Sequence, residues 1–355
     1  MSQAYVGLDA HFKTCTYTIG DSAGQIGSEG TVATSSLALL AWQRSHDLPA
    51  GTPVALETGT VSFHVARVLA RLGLDPHVID AHEVRLKAYR PRQKCDRRDA
   101  RELYEGLRRG LYRSRVYVPD ANLSRLRETL SRRRHFVRLM VMQRNAARRL
   151  LRAHGLHVAV PRLASEKAWV QLLAALRGDV ALHDWLALHA QQWRAARQCV
   201  TTLEQSLQEQ RLGYATAADL LETIPGFGLI VALTVIAVFG DVRRFVSAKH
   251  AASYGGLVPA SHDSAERVAH GRITRSGSSE LRAMLCEAAH HARHPRHPLH
   301  RHFGHLCVRH GAKRAVVAIA HQLCRIAYAV LSDQVAFDPA RCRPRQPQLA
   351  QAAAH

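Results

Sequence analysis

The sequence predicts an α/β domain at the amino end, a long α-helical arm with coiled-coil character, and a mostly α carboxyl-terminal domain holding a helix-hairpin-helix-like turn. Three observations carry this. Short apolar strand patterns alternate with helical ones over the first 80 residues. A basic run over 123–154 repeats apolar residues every seven positions. Finally, Ile224-Pro225-Gly226-Phe227-Gly228 punctuates two helical patterns in the second half.

The chain opens on a short apolar strand that ends at Asp9, and alternation resumes at Cys15, Tyr17 and Ile19. Asp21-Ser22-Ala23-Gly24 supplies a turn before a further strand near Thr31-Val32. A short helical pattern over 37–45 leads to Pro53-Val54-Ala55-Leu56, a buried-type strand that stops on Glu57. An amphipathic helix over 63–72 is closed by Gly73, and a strand over 76–79 follows. Helical spacing returns over 96–107, with Ala100, Leu103 and Leu107 on one face. In the arm, Leu123, Leu130, Val137 and Leu151 hold the seven-residue spacing, with Leu126, Met140 and Ala147 beside them. Arg133 and Arg144 break the series. A second helical region over 166–211, interrupted near Gly178-Asp179, returns on the first and suits dimerisation. Past the Ile-Pro-Gly-Phe-Gly turn come an apolar helix over 229–239, a polar β-prone segment reaching Gly277, a helix over 277–292 and an amphipathic helix over 313–331. Domains are expected at 1–118, 119–212 and 213–338, with a frayed tail over 339–355.

Charge narrows the function. Lys and Arg number 49 against 28 Asp and Glu, a formal net charge of +21. That excess asks for a polyanionic partner, with nucleic acid first and an anionic membrane surface second. No apolar run of about 18 residues suggests a spanning helix, and no leader pattern precedes the first strand, so an intracellular, soluble protein is expected. The seven scattered cysteines form no C-x-x-C and read as reduced thiols.

Against this basic background the acids stand out. Asp9 and Glu57 close two strands of an α/β layer, where ligands gather. Asp96 and Asp99 fall three apart on one helical face, within Lys94-Cys95-Asp96-Arg97-Arg98-Asp99-Ala100-Arg101. Solvated helices often carry such i,i+3 acids, and a strand-end Asp is commonly a loop cap. Four carboxylates converging from two strands and a helix, however, repel one another unless a hard divalent cation joins them. Two such ions about 3.5–4 Å apart would assist attack on a phosphodiester. Arg97 and Arg98 beside the acids, and Arg133, Arg134 and Arg148 in the crowded basic helix, are candidates for nucleic-acid backbone contacts, with a solvated face as the plain alternative. Gly226 and Gly228 would let backbone amides approach a phosphate, unless the turn is only a tight turn. Arg267, Arg272 and Arg275 share a hydroxyl-rich loop with Ser261, Ser264, Ser276, Ser278 and Ser279, any of which could be a nucleophile by chemistry alone. The eight histidines over 290–310 lack a completing carboxylate or cysteine cluster and suit a nucleic-acid face better than a metal site.

These motifs together resemble the insertion-sequence one-ten family, the DEDD transposases that act as RNA-guided DNA recombinases. The resemblance rests on Tyr5-Val6-Gly7-Leu8-Asp9, Ala55-Leu56-Glu57-Thr58-Gly59-Thr60 and Lys94-Cys95-Asp96-Arg97-Arg98-Asp99 in the first half. In the second half it rests on Ile224 to Gly228, the run Phe245 to Pro259, and the run Gly271 to Arg282. It implies an RNase-H, RuvC-like amino-terminal fold whose Asp9, Glu57, Asp96 and Asp99 bind Mg²⁺ or Mn²⁺. It further implies a serine past Gly-Leu-x-Pro that attacks DNA, matched here by Ser264, with Ser261 its nearest competitor. The implied partners are donor and target double-stranded DNA, a structured guide RNA encoded by the element, and further copies of the chain as homodimer or homotetramer. The implied setting is the bacterial cytoplasm, at the nucleoid, with no membrane partner. The competing readings are a junction-resolving nuclease using metal-activated water, a related DNA invertase, and a non-catalytic nucleic-acid-binding descendant.

Overall fold

Alternating side chains in the first strand set the layers of the amino-terminal unit. In the computed structural model, which describes residues 3–87, 95–113, 115–157, 163–264, 267–274 and 277–342, contacts divide the chain into Met1–Ala121 and Asn122–His355. The first unit holds β1 (Ala4–Ala10), β2 (Thr14–Asp21), β3 (Ile26–Ala33), α1 (Ser36–Ser45), β4 (Pro53–Glu57), α2 (Ser62–Arg71), β5 (Asp75–Ile79), α3 (Ala81–Lys87) and α4 (Asp96–Arg108). The sheet order is β3-β2-β1-β4-β5; β1 and β2, and β2 and β3, pair antiparallel, whereas β1 and β4, and β4 and β5, pair parallel. Val6, Leu8, Val54 and Leu56 point to one face, where Leu39 and Trp42 of α1 and Val65, Val68 and Leu69 of α2 cover them. Ala55 and Ile79 point to the other face and meet Leu103 of α4. This gives helices on both sides of a mixed sheet.

Gly7 makes the second face possible. A Cβ there would stand 2.0 Å from the Ala100 carbonyl oxygen and 2.3 Å from the Tyr104 nitrogen. Only a glycine lets the α4 backbone lie this close to β1. The helix is further fixed by the buried Tyr104, whose hydroxyl donates to the Asp21 carbonyl at 2.8 Å.

The second unit begins with α5 (Ala121–Ala153), α6 (Glu166–Ala175) and α7 (Val180–Arg211). Asp179 starts α7 by accepting from the Leu182 amide at 3.0 Å, which is where the Gly178-Asp179 interruption falls. Helices α5 and α7 run antiparallel, since rising numbers on one meet falling numbers on the other. Gln210 donates to Thr129 at 3.0 Å, Arg133 donates to Glu204 at 2.8 Å, and His189 Nδ1 lies 2.8 Å from Gln143 Oε1. Of the seven-residue series, Leu123, Leu126, Leu130, Ala147 and Leu151 are buried, and Trp169 of α6 packs with Trp193 of α7 against the last two.

The remainder comprises α8 (Ala215–Glu222), α9 (Leu229–Phe239), α10 (Ala248–Tyr254), β6 (Pro259–Ser264), β7 (Arg267–Ile273), α11 (Ser279–His290), α12 (His300–His310) and α13 (Ala312–Asp333). α9 is buried along almost its whole length, so its carbonyl end needs donors that water cannot supply. Arg127 and Arg244 provide them, donating to Ala237 at 2.6 Å and to Phe239 at 2.8 Å. The Arg244 guanidinium also lies over Phe245 and Tyr254, at 4.1 and 4.3 Å from the ring centres.

Two sequence expectations need correction. α13 has an 18-residue window long and apolar enough for a membrane span, contrary to the absence of any such run. Half of that window is buried inside the fold, and its apolar stripe from Ala315 to Leu331 is core, so length and composition here serve packing. The histidine-dense stretch also contains α12, which the sequence did not suggest because only Phe303 of that helix is buried and gives no periodicity.

Candidate active site

Strand alternation that buries Val6 and Leu8 on one face sends Gly7 and Asp9 to the other, toward α4. The parallel register matches Leu8 with Leu56, so Asp9 and Glu57 follow as neighbouring strand ends. The close approach at Gly7 then sets the first turn of α4, with Asp96 and Asp99, over the same edge.

The atoms that converge there are Asp9 Oδ2, His11 Nε2 and Asp96 Oδ1. His11 Nε2 lies 3.0 Å from Asp9 and 3.6 Å from Asp96, and the donor atoms of the three residues fall within 4.8 Å of one another. The Asp9 side chain is 13% exposed, whereas that of Asp96 is 62% exposed. Burial raises the Asp9 pKa, His11 opposes that rise, and the negative charges of Asp99 and Asp96 add to it. Asp99 therefore belongs to the same electrostatic cluster. Glu57, one strand over, is felt by Tyr112. Burial pushes the Tyr112 phenol up, and Glu102, Glu57 and Glu83 add to that rise. Burial also raises Glu102, which feels Asp99 as a like charge and Arg98 as an opposite one. Two carboxylates and an imidazole with atoms this close suit a divalent cation, because a cation offsets the repulsion between the acids.

The arginines beside the acids have partners of their own. Arg97 donates to Glu29 Oε2 at 2.7 Å, and Arg101 pairs with both oxygens of the same carboxylate. Hydrogen bonds from Arg101 pull Glu29 down to about 2 against its burial, with Arg97 and Thr18 adding to the effect. Arg98 lies 3.6 Å from Glu102. On α5, Arg133 reaches Glu204 at 2.6 Å, Arg134 donates to Ser279 Oγ at 3.2 Å, and Arg148 donates to Asn145 at 3.3 Å. Arg132, Arg134, His135 and Arg138 line a cavity of about 490 Å³ with Ser278 and Glu280. Burial raises Glu280 in spite of Arg134, Arg133 and Arg138.

In the turn before α9, Gly226 has φ +89°, and a Cβ there would stand 2.9 Å from the Ala288 carbonyl oxygen. That glycine is needed by packing as well as by the turn. Gly228 faces open space and precedes the first turn of α9. His297 braces the turn: its Nδ1 accepts from the Leu299 amide at 3.1 Å, so its Nε2 carries the proton donated to the Pro225 carbonyl at 3.2 Å. Burial lowers its pKa, in keeping with a neutral structural ring.

Ser264 is the last residue of β6 and pairs with Arg267, the first of β7; Ser261 pairs with His270, and Arg272 lies within β7. Ser278 caps α11 by accepting from Leu281 at 3.1 Å. Arg275, Ser276 and Lys94 lie outside the described residues. The residues that sequence reasoning missed are His11, Glu29 and Glu102. His11 was legible as the next same-face position after Asp9, and Glu102 as the next helical turn after Asp99. Glu29 sits on a strand whose burial does not alternate cleanly and gave no signal.

Residues 218–304 match the family model described as transposase IS116/IS110/IS902 family. A putative transposase y4pF/y4sB from Sinorhizobium fredii is 30% identical over 296 residues, spanning 79% of this chain and 73% of that protein. A probable family 20 transposase from Pseudomonas aeruginosa is 27% identical over 81% of this chain and 86% of its own length. The pilin gene-inverting protein of Moraxella lacunata is 37% identical over 124 residues, 34% of this chain and 38% of that protein.

Proposed function

Because the chain belongs to the IS116/IS110/IS902 transposase family, we propose that this DNA transposase cuts and rejoins strands through a serine that works with a carboxylate-held metal. The observation that carries the proposal is the meeting of Asp9 and Asp96 at the end of β1. On this reading residues 1–118 form a RuvC-like domain. Asp9, Glu57, Asp96 and Asp99 hold a divalent cation, Mg²⁺ or Mn²⁺, with two ions per composite site. When bound, the cation supplies positive charge to a scissile phosphate and favours an ionised hydroxyl.

The chain's own residues do the rest. Ser264 Oγ loses its proton and bonds to phosphorus, while the bond from phosphorus to the departing sugar oxygen breaks and that oxygen takes up a proton. The phosphoserine keeps the phosphodiester's energy until a hydroxyl of the second DNA displaces the serine. Residues 119–212 assemble copies of the chain into a dimer or tetramer, so that the serine domain, 213–338, of one protomer meets the metal-binding domain of another. Arg133, Arg134, Arg148, Arg267, Arg272 and Arg275 contact phosphates, whereas Arg97 and Arg98, candidates by sequence, stay with Glu29 and Glu102. Gly226 and Gly228 present amides. An element-encoded structured RNA selects donor and target by base pairing, and the protein reads its shape and backbone. The setting is the bacterial cytoplasm, at the nucleoid.

A covalent protein–DNA adduct trapped on denaturing gels tests this. Ser264→Ala abolishes the adduct and recombination while DNA and RNA binding persist. Free DNA ends produced equally by Ser264→Ala and the unaltered chain would identify a hydrolytic nuclease instead. The pilin gene-inverting relatives favour a second outcome for the same chemistry, inversion of a DNA segment in place of transposition. Product mapping on a substrate with both sites in one molecule separates the two.

A further inference from the structure

His11 belongs to no motif that suggested the acidic quartet, yet its Nε2 shares the converging point with Asp9 and Asp96. We propose that His11 is a direct nitrogen donor to the cation at this point, which makes the centre a mixed nitrogen–oxygen site that prefers Mn²⁺ to Mg²⁺. The inference rests on the metal-binding reading above and deepens it.

His11 Nε2 and Asp9 Oδ2 are at hydrogen-bond distance, and the same separation suits two ligands of one cation. A cation with bonds of about 2.1 Å spaces adjacent donors by about 3 Å, and His11 Nε2 stands 3.0 Å from Asp9 Oδ2. The ring is half-exposed, but its backbone is pinned on both sides. The His11 amide donates to the Thr14 carbonyl at 3.0 Å, and Thr34 Oγ1 donates to the His11 carbonyl at 2.8 Å. The hairpin between β1 and β2 thus holds the imidazole at the same edge as the acids.

Charge points the same way. Among the described residues, the ion-pair partner of both Asp9 and Asp96 is His11, with no lysine or arginine beside it. Arg97 and Arg101 are committed to Glu29, and Arg98 lies beside Glu102. Among the described residues, the guanidinium groups of α4 thus leave the Asp9–Asp96 pair open to a cation from solution. An imidazole in its donor set shifts selectivity. Mg²⁺ demands hard oxygen donors and keeps its waters, whereas Mn²⁺ and later divalent metals accept imidazole readily.

The experiment is Mn²⁺ binding to the full chain, followed by electron paramagnetic resonance, with pulsed detection of nitrogen coupled to the bound ion and Mg²⁺ affinity read by competition. The unaltered protein shows nitrogen coupling at a site that Asp9→Asn removes. His11→Ala removes that coupling, weakens Mn²⁺ binding by about tenfold, and changes Mg²⁺ binding by less than about twofold. His11→Gln gives the same result and serves if His11→Ala lowers the melting temperature. The histidine-dense 290–310 segment could bind Mn²⁺ independently, which is why sensitivity to Asp9→Asn defines the site. If the site binds Mn²⁺ with no nitrogen coupling, or if the coupling survives in both His11 variants, His11 is not a ligand and the quartet reading stands alone. If no Mn²⁺ site responds to Asp9→Asn, the metal-binding reading itself fails.

Discussion

Helices α4 and α5 are both rich in arginine, and they dispose of that charge differently. On α4, Arg97 and Arg101 close on Glu29, Arg98 approaches Glu102, and Arg108 and Arg109 both reach Glu105. On α5, among the described residues, the arginines from 132 to 152 make one ion pair, Arg133 with Glu204, while Arg134 and Arg148 settle for neutral acceptors. The first helix spends its cations on holding an edge beside the acids; the second keeps an excess of positive charge, with Glu204 and Glu280 facing only part of it. Arginine density in a sequence therefore marks two different things. Only the second pattern retains the charge that releases counterions from a nucleic acid.

The sharpest way to separate the two helices is to remove the acids that α4 supports. Asp9→Asn or Asp96→Asn lowers strand cleavage on the order of 10²- to 10³-fold, as for loss of a fixed charge at a reacting phosphate. DNA binding by the full chain stays within about twofold, because on this reading the binding charge lies elsewhere. Single-turnover cleavage beside equilibrium binding measures both. A matching loss of binding would mean that the acids shape the nucleic-acid surface and the division between helices is wrong.

Next in size is the contact that seats α4. Gly7→Ala places a methyl group against the Ala100 carbonyl and the Tyr104 nitrogen, where backbone cannot give way cheaply. A loss of about 1–3 kcal/mol is expected from overpacking, read as a lower midpoint in denaturant melts. Unchanged stability would show that α4 slides freely on the strand and that the placement of Asp96 owes nothing to Gly7.

The amino-terminal edge was largely legible in the sequence because strand alternation is a strict period. Once Val6 and Leu8 are inside, Gly7 and Asp9 must share the other face, and His11 follows just past the strand end. Asp96 and Asp99 were legible as a same-face helical pair. The partners of the arginines were not, because Glu29 is 68 residues from Arg97 and meets it only through the order of the sheet. The motif at Gly226 suggests a place for a phosphate, yet its close neighbour is the Ala288 carbonyl, 62 residues onward. Local periodicity places a residue on a face, and only tertiary pairing says what meets it there.

A smaller effect tests α5 directly. Arg134→Ala combined with Arg138→Ala should reduce the slope of log affinity against log salt by about 1–2, near one unit for each phosphate that the helix no longer neutralises. Arg97→Ala should leave that slope unchanged, since its guanidinium is engaged with Glu29. Fluorescence anisotropy over a salt series reads both. Equal slopes for all variants would place the nucleic acid away from α5, and a reduced slope for Arg97→Ala would show that this arginine leaves Glu29 for a phosphate.

The smallest expected effect concerns the clamp that keeps α4's charge at home. Glu29 ordinarily titrates near 4.5, and hydrogen bonds from Arg101, then Arg97 and Thr18, hold it at about 2 in the folded chain. A carboxyl whose pKa is lowered by folding stabilises the folded state, and that stabilisation grows with pH wherever the unfolded chain binds more protons than the native one. Its stabilisation is therefore complete above about pH 5 and is lost as pH falls from there toward 2. Glu29→Gln should lower stability at pH 7 by about 1–2 kcal/mol, the scale of hydrogen bonds to a charged group. The difference from the unaltered chain should shrink through the acid range as both side chains become neutral. Denaturant midpoints at pH 7, 4 and 3 follow this trend. A difference that stays constant with pH would mean that the side chain's shape, and not its charge, fastens α4 to β3, and the contrast with α5 would then be one of packing alone.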